Sequence, residues 1–161
     1  MHLGHILAPV DQSEPAHDAA RAAADLAVKF GAELHLLHVV TPQLLYAEWP
    51  ELVMPPEDLT EEMLAQCQRY LERLEQEMIG LGASVTVHCE ESAMRPFAAI
   101  NQFAKELPAD LVVIGSHGRS GLRHALLGST AEKVVRKADC PVMVIKPGDA
   151  GPELSEPNQE G

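Results

Sequence analysis

Five short apolar runs, each separated from the next by a stretch of helical spacing, limit the folds that this chain can adopt. The runs are residues 5–10, 33–40, 84–89, 110–115 and 141–146. They are almost continuously apolar, as strands buried on both faces of a sheet are. Strands that alternate with helices are joined by right-handed crossovers and form a parallel sheet. The sequence therefore predicts a single-domain, doubly wound α/β fold with a five-stranded parallel sheet in the order 3-2-1-4-5.

Four helices are predicted between and after these strands. In the first, Ser13 has the residue type of an N-cap and Gly31 that of a C-terminal stop. The others are expected at about residues 57–80, 94–106 and 129–138, with Ser129 as the N-cap of the last.

In a sheet of this order, the strand order reverses between the first and the fourth strand. Ligands bind at that point, outside the carboxyl ends of the strands. The two strand ends that meet there are Pro9-Val10-Asp11 and Ile114-Gly115. We therefore expect Asp11 to face the residues that follow the fourth strand.

A glycine motif follows that fourth strand: Gly115-Ser-His-Gly118, and later Gly128-Ser129. Glycines between a strand and a helix allow backbone N–H groups to approach an anion such as phosphate. On this interpretation Gly115→Val or Gly128→Val abolishes ligand binding and leaves the fold intact. The alternative is a plain glycine-rich turn followed by a capped helix.

Charge also distinguishes this region from the rest of the chain. The whole chain has a net charge of −12, whereas residues 117–137 hold five basic residues against the single acid Glu132. An anionic ligand would explain this, but cations late in the last helix also complement the helix dipole. The overall excess of acid argues against nucleic-acid binding. The five basic residues are Arg119, Arg123, Lys133, Arg136 and Lys137.

Over residues 3–147 the chain resembles the nucleotide-binding branch of the universal stress proteins. Gly115, Gly118, Gly128 and Ser129 match the family's ATP-binding signature with its spacing intact. The opening Ile-Leu-Ala-Pro-Val-Asp-Gln-Ser-Glu and the closing Cys-Pro-Val-Met-Val-Ile are similar to the family's first and last strands. One departure is Gln12, where many relatives have glycine, and we expect it to alter the turn slightly without abolishing binding.

The resemblance implies an adenine nucleotide alpha-hydrolase-like fold that binds ATP, with Mg²⁺ or Mn²⁺ held mainly by the phosphates. It implies that Asp11 contacts the ribose and that the backbone of Val39 reads the adenine edge. It further implies a homodimer formed by antiparallel pairing of Val142 to Ile145, an apolar edge that would otherwise favour aggregation. The resemblance also implies the remaining contacts. Pro9 and Val10 form the wall beside the nucleotide, and Ile114 and Gly115 lie beside the ribose and phosphates. The triphosphate is cradled by Gly118, Gly128, Ser129 and Thr130, and Arg119 in the loop also belongs to the site.

Three functions are compatible with these features. The first is a regulatory ATP sensor in the stress response that acts through an unidentified protein partner. The second is a slow ATPase or phosphotransfer enzyme, and the third is a dimeric scaffold with a vestigial site. Hydrolysis needs groups that orient water and stabilise the transferred phosphoryl group, and the chain has no Gly-Lys-Ser or Gly-Lys-Thr motif. No catalytic residue is predicted, and His117 is interpreted as a hydrogen-bonding loop residue.

The cysteines and histidines predict no metal site. The three cysteines are odd in number and contain no CxxC pair, so they predict neither a disulfide framework nor a zinc site. The strand histidines have no carboxylate at a supporting spacing, so they are expected to be satisfied core or edge residues. His2 and His5 are expected at the surface. The residues concerned are Cys67, Cys89, Cys140, His35, His38 and His88.

Two segments depart from the regular pattern, and no targeting segment is evident. Residues 41–56 predict a long irregular connection, over the crevice or a partner surface, with Trp49 as a core anchor. Residues 148–161 predict an acidic disordered tail after a domain spanning residues 1–147. No apolar run approaches the ~20 residues of a membrane span, and no cationic leader precedes one. We therefore expect a cytoplasmic protein that does not insert into membranes.

Overall fold

The computed structural model describes residues 2–42, 57–118 and 127–146. The strands within these ranges are β1 (His5–Pro9), β2 (Glu33–Val40), β3 (Ser84–Glu91), β4 (Leu111–Gly115) and β5 (Val142–Ile145). The helices are α1 (Glu14–Phe30), α2 (Glu57–Gly80), α3 (Pro96–Glu106) and α4 (Ser129–Lys137).

The five strands form one parallel sheet in the order β3-β2-β1-β4-β5. This confirms the predicted fold class and strand order. In the register of the sheet His5 lies beside Glu33, and Glu33 lies beside Ser84. The sheet therefore grows to one side of β1 with β2 and β3 and to the other side with β4 and β5. This reversal of the strand order lies between β1 and β4, as the sequence pattern predicts.

Each face of the sheet has its own hydrophobic core. Ile6 and Ala8 of β1 face the core formed with α1 and α2, whereas Leu7 faces the core formed with α3 and α4. Alternate residues of one strand thus enter different cores, which explains why the strands read as continuous apolar runs. The helices cover both faces of the sheet and leave the ends of the strands accessible for ligands.

Helix α1 begins and ends where its sequence predicts. Ser13 is the N-cap, and its hydroxyl accepts a hydrogen bond from the Ala16 N–H at 3.3 Å. Gly31 follows the helix with φ of +67°, a left-handed conformation that glycine adopts without a steric penalty. The first turn of α1 is consequently held beside the end of β1.

Two of the cysteines are paired, so the prediction that the cysteines form no disulfide framework is wrong for this pair. Cys67 of α2 and Cys89 of β3 form a disulfide, with their Cα atoms 6.4 Å apart. Both side chains contribute to the core between α2 and the sheet, and this tertiary packing brings them together in a way that spacing alone does not reveal. Cys140 is a free thiol, and burial raises its pKa.

Several predictions fall outside the described residues. They are those for the connection that contains Trp49, for the loop residues Arg119 and Arg123, and for the tail of residues 148–161. Among the helices of the described ranges, none combines the length and apolarity that a membrane span requires.

Candidate functional site

A cavity of about 390 Å³ lies at the carboxyl ends of β1, β2 and β4, beside the first turn of α4. This volume falls within the ordinary range of small-molecule sites. Of the eleven predicted site residues, Arg119 lies outside the described residues, and the structure brings the other ten together around this cavity. They are Pro9, Val10, Asp11, Val39, Ile114, Gly115, Gly118, Gly128, Ser129 and Thr130.

Asp11 is oriented by the residues that open α1. Its Oδ1 accepts hydrogen bonds from the Ser13 N–H at 3.1 Å and from the Ser13 hydroxyl at 2.5 Å. The other carboxylate oxygen, Oδ2, faces Gly118, where an added Cβ would lie 2.6 Å away. Asp11 and Gly118, which follow β1 and β4, therefore lie beside each other, as expected from the switch point.

The turn after β1 holds its glutamine in a backbone conformation typical of glycine. Gln12 has φ of +68°, in the left-handed region that favours glycine. A residue with a Cβ in this conformation costs roughly 1–2 kcal/mol. The expected slight alteration of the turn is therefore a local strain at an exposed residue that also lines the cavity.

The glycines of the motif are required first by the protein's own packing. A Cβ on Gly115 would lie 2.6 Å from the Pro15 carbonyl oxygen and 3.0 Å from the Ala16 nitrogen. A Cβ on Gly128 would lie 3.1 Å from the carbonyl oxygen of Ser116. Valine at Gly115 is therefore expected to disturb the fold, contrary to the prediction, because backbone already occupies that space; at Gly128 the contact is tight, and the prediction that the fold survives stays open to test.

Helix α4 presents its first turn to the cavity. Its N-cap is Gly128, which makes no side-chain capping bond and donates its own N–H to the Ser116 carbonyl at 2.7 Å. Ser129 is the first helical residue and not the predicted N-cap, because that hydrogen bond sets the extended conformation one residue earlier. The first N–H groups of a helix have no intrahelical acceptor. Together with the helix dipole, they make this end of the cavity suitable for an anion.

The basic residues of α4 are engaged away from this first turn. The Nζ atoms of Lys133 and Lys137 lie 5.1 Å and 5.3 Å from the centre of the Phe97 ring. Arg136 forms an ion pair with Glu132 at 3.0 Å, and both Arg136 and Lys137 belong to the last turn. For Arg136 and Lys137 the structure favours the helix-dipole explanation, whereas Lys133 lies in the middle of the helix over the Phe97 ring.

Among the described residues, two histidines line the cavity, and neither was among the predicted site residues. His38 is buried and donates from Nδ1 to the Val10 carbonyl at 2.7 Å, which confirms its interpretation as a satisfied core histidine. His117 Nδ1 is hydrogen-bonded to the hydroxyl of the fully buried Ser116 at 3.0 Å. These bonds fix two ring positions beside the cavity.

Sequence reasoning also missed the residues that reach the cavity from α2 and α3. Met63 and Gln66 come from α2, and Pro96 and Ile100 come from α3. Their spacing identifies them only as helical residues. Their contribution depends on how those helices pack on the sheet, and no local sequence signal reports that packing.

Comparison with known proteins gives consistent results. A model of the universal stress protein family matches residues 2–146. Universal stress protein MJ0531 of Methanocaldococcus jannaschii is 34% identical over 145 residues, which cover 88% of this chain and 81% of that protein.

Solved structures share the fold. Universal stress protein UspA from Lactobacillus plantarum has a TM-score of 0.76 and 26% identity, with 90% of this chain and 99% of that chain covered. A universal stress protein from Archaeoglobus fulgidus, solved in complex with dAMP, has a TM-score of 0.66 and 24% identity, with 91% and 100% covered.

Proposed function

Because this chain belongs to the universal stress protein family, we propose that it binds an adenine nucleotide in the cavity at the ends of β1, β2 and β4. The nucleotide proposed is ATP, accompanied by Mg²⁺ or Mn²⁺ held mainly by its phosphates. The protein then acts as a regulatory sensor that reports its occupancy to a protein partner.

The observation that carries the proposal is the chemistry at the two sides of one cavity. Asp11 contributes a carboxylate held in place by Ser13, which suits the paired hydroxyls of a ribose. Across the cavity, the first turn of α4 contributes backbone N–H groups, which suit phosphate. A ligand that carries both a sugar and phosphates matches this arrangement better than a simple anion does.

The apolar part of the cavity supports a base beside the sugar. Val10, Val39 and Ile114 lie along the lining between the strand ends. Apolar walls with a few fixed polar groups are the usual form of a small-molecule site. The dAMP complex of the Archaeoglobus fulgidus protein indicates that a protein of this fold can hold an adenine nucleotide.

A sensor is favoured over an efficient enzyme. Rapid phosphoryl transfer requires strong stabilisation of charge on the γ-phosphoryl group, and the chain lacks the glycine-lysine motif that supplies it in many ATPases. The described cations of α4 are occupied with Phe97 and Glu132. We propose a cytoplasmic site of action, although the Cys67–Cys89 disulfide is of a kind more common in oxidising compartments.

The second candidate, slow ATP hydrolysis, rests on His117. Its ring lines the cavity and is anchored through Nδ1 to Ser116, so a water molecule beside it could be oriented toward a bound phosphate. Repeated release of ADP by the wild-type protein, lost in His117→Asn, would establish this function. A single nucleotide held without turnover would favour the sensor.

Thermal unfolding tests nucleotide binding itself. A ligand selective for the folded state raises the melting temperature, by an amount that grows with the logarithm of its concentration relative to Kd. Millimolar ATP with Mg²⁺ is expected to raise the melting temperature, and GTP is expected to raise it less because the base contacts differ. Mass analysis of nucleotide that co-purifies identifies the natural ligand. No stabilisation by ATP, AMP or a cyclic nucleotide would contradict the proposal.

A further inference from the structure

Three histidines form a hydrogen-bonded row across β1, β2 and β3. His5 Nδ1 lies 3.1 Å from His35 Nε2, and His35 Nδ1 lies 3.1 Å from His88 Nε2. His5 is half-exposed and belongs to this row, and His35 is buried within it. The row begins at the amino-terminal end of β1, about 13 Å along the strand from Pro9 at the nucleotide end.

A carboxylate joins the row, contrary to the expectation that none would support these histidines. Glu33 Oε2 lies 3.9 Å from His5 Nδ1 and 3.7 Å from His35 Nε2. The parallel register places Glu33 directly beside His5 on the neighbouring strand. Spacing along the chain does not indicate this contact, because the whole of α1 separates His5 from Glu33 in the sequence.

The three ligand atoms are arranged as a metal ion requires. His5 Nδ1, His35 Nε2 and Glu33 Oε2 form a triangle with sides of 3.1, 3.7 and 3.9 Å. The point equidistant from these atoms in their plane is about 2.1 Å from each. Zinc binds imidazole nitrogen and carboxylate oxygen at about that distance, so one ion can reach all three atoms once His5 carries its ring proton on Nε2 instead of Nδ1.

Neighbouring side chains orient two of the three ligands. The Thr86 hydroxyl donates to Glu33 Oε1 at 2.6 Å, which leaves Oε2 directed at the histidines. When His35 donates its Nδ1–H to His88 Nε2, its own Nε2 keeps the lone pair that a metal needs. Metal-binding histidines and carboxylates are typically held by such outer partners. The Thr86 hydrogen bond also lowers the pKa of Glu33, and burial lowers the pKa of His35, in agreement with an ionised carboxylate and a neutral imidazole.

We propose that His5, Glu33 and His35 bind a divalent transition-metal ion of the zinc class, with His88 as a positioning residue. Two imidazoles and one carboxylate favour zinc and its neighbours over Mg²⁺ or Ca²⁺, which prefer oxygen ligands alone. The His35 side chain is only 6% exposed, whereas those of His5 and Glu33 are 42% and 40% exposed. The ion therefore has a route from solvent, and its fourth position is open to water.

The experiment is a calorimetric titration of Zn²⁺ into the full chain, without an affinity tag, after chelator treatment and without nucleotide. His5→Gln and Glu33→Gln each remove one ligand at a half-exposed position, so the fold should survive; circular dichroism verifies this. His17→Gln is the matched control, because His17 pairs with Glu77 at 2.8 Å on the surface and at similar exposure.

We expect one Zn²⁺ per wild-type chain, with the dissociation constant raised at least tenfold in His5→Gln and in Glu33→Gln and unchanged in His17→Gln. Cobalt(II) is expected to give visible bands without a thiolate charge-transfer band, which excludes binding at cysteine. The proposal is overturned if the wild-type protein binds no Zn²⁺, if all variants bind equally, or if cobalt reports a thiolate ligand.

Discussion

The carboxylate of Asp11 lies directly against Gly118: a Cβ added to that glycine would be 2.6 Å from Asp11 Oδ2. One residue follows the first strand and the other follows the fourth, so their contact joins the two sides of the cavity. Because Ser13 holds the opposite oxygen of Asp11, the carboxylate cannot move aside without losing hydrogen bonds.

Gly118→Ala tests this contact. The new methyl group must displace the Asp11 carboxylate, so we expect the dissociation constant for ATP to rise at least tenfold, which corresponds to about 1.4 kcal/mol. Gly80→Ala is the control, since an added Cβ there meets nothing within 4 Å. It should leave nucleotide affinity unchanged and the free energy of unfolding equal or higher by up to about 1 kcal/mol. Equal ATP affinity in both variants would contradict the assigned contact.

Gln12 offers a test of backbone strain at the same turn. Gln12→Gly relieves the strain of the left-handed conformation but increases the conformational entropy of the unfolded chain. The free energy of unfolding, measured in urea, should therefore be unchanged or higher by up to about 1 kcal/mol. Gln12→Val should lower it by about 1–2 kcal/mol, because a branched side chain tolerates positive φ poorly. Gln68→Val, on the exposed side of α2, should cost about half a kcal/mol. A similar loss for both valine variants would show that Gln12 is unstrained.

The fold was predictable because its signals are local. Ser13 and Gly31 cap α1 through their immediate neighbours, and the apolar runs at β1 to β5 need only a count along the chain. The features that sequence reasoning missed depend on neighbours distant in the chain. Ser129, for example, is not the N-cap of α4, because Gly128, which is hydrogen-bonded to Ser116, takes that position.

The pairing of Cys67 with Cys89 and of His5 with Glu33 illustrates the same limit. Each pair is formed where one element packs beside another, and neither has a spacing that indicates contact. The glycine motif lies at the cavity, but the sequence did not reveal that two of its glycines also pack closely against the protein's own backbone. A Cβ on Gly115 would meet the backbone of Pro15, and a Cβ on Gly128 would come close to the backbone of Ser116.

The disulfide predicts a redox-dependent stability. It closes a loop between residues separated by 22 positions, and the loss of such a cross-link costs about 3 kcal/mol in the chain-entropy account. Under oxidising conditions Cys67→Ser should therefore unfold at lower urea than the wild type, and a reductant should narrow the difference, because it lowers the stability of the wild type alone; the part that remains is the cost of a hydroxyl in the core. Cys140→Ser is the control and should respond to reductant as the wild type does. Alkylation of all three cysteines in denatured, unreduced protein would contradict the pairing.

The edge of β5 tests the proposed homodimer. The Pro141 carbonyl accepts a hydrogen bond from the Val112 N–H of β4 at 3.0 Å, and the Ile145 carbonyl accepts one at 2.8 Å from Ser116, which follows β4. By alternation the backbone groups of Val144 therefore face outward. Val144→Pro removes an outward donor and spares the bonds to β4. Light scattering should give a dimer for the wild type and a monomer for this variant. A wild-type monomer, or a dimer that survives the proline, would contradict pairing through Val142 to Ile145.

The central claim is that this cavity holds ATP by its ribose and phosphates, and a calorimetric titration of ATP with Mg²⁺ tests it most directly. We expect one site per chain in the wild type. In Asp11→Asn the dissociation constant should rise about tenfold or more, since a hydrogen bond to a charged group contributes about 1.5–3 kcal/mol. Asp25→Asn, on the exposed face of α1, should bind as the wild type does. Absence of heat with wild-type protein, or equal affinity for Asp11→Asn and Asp25→Asn, would contradict the account.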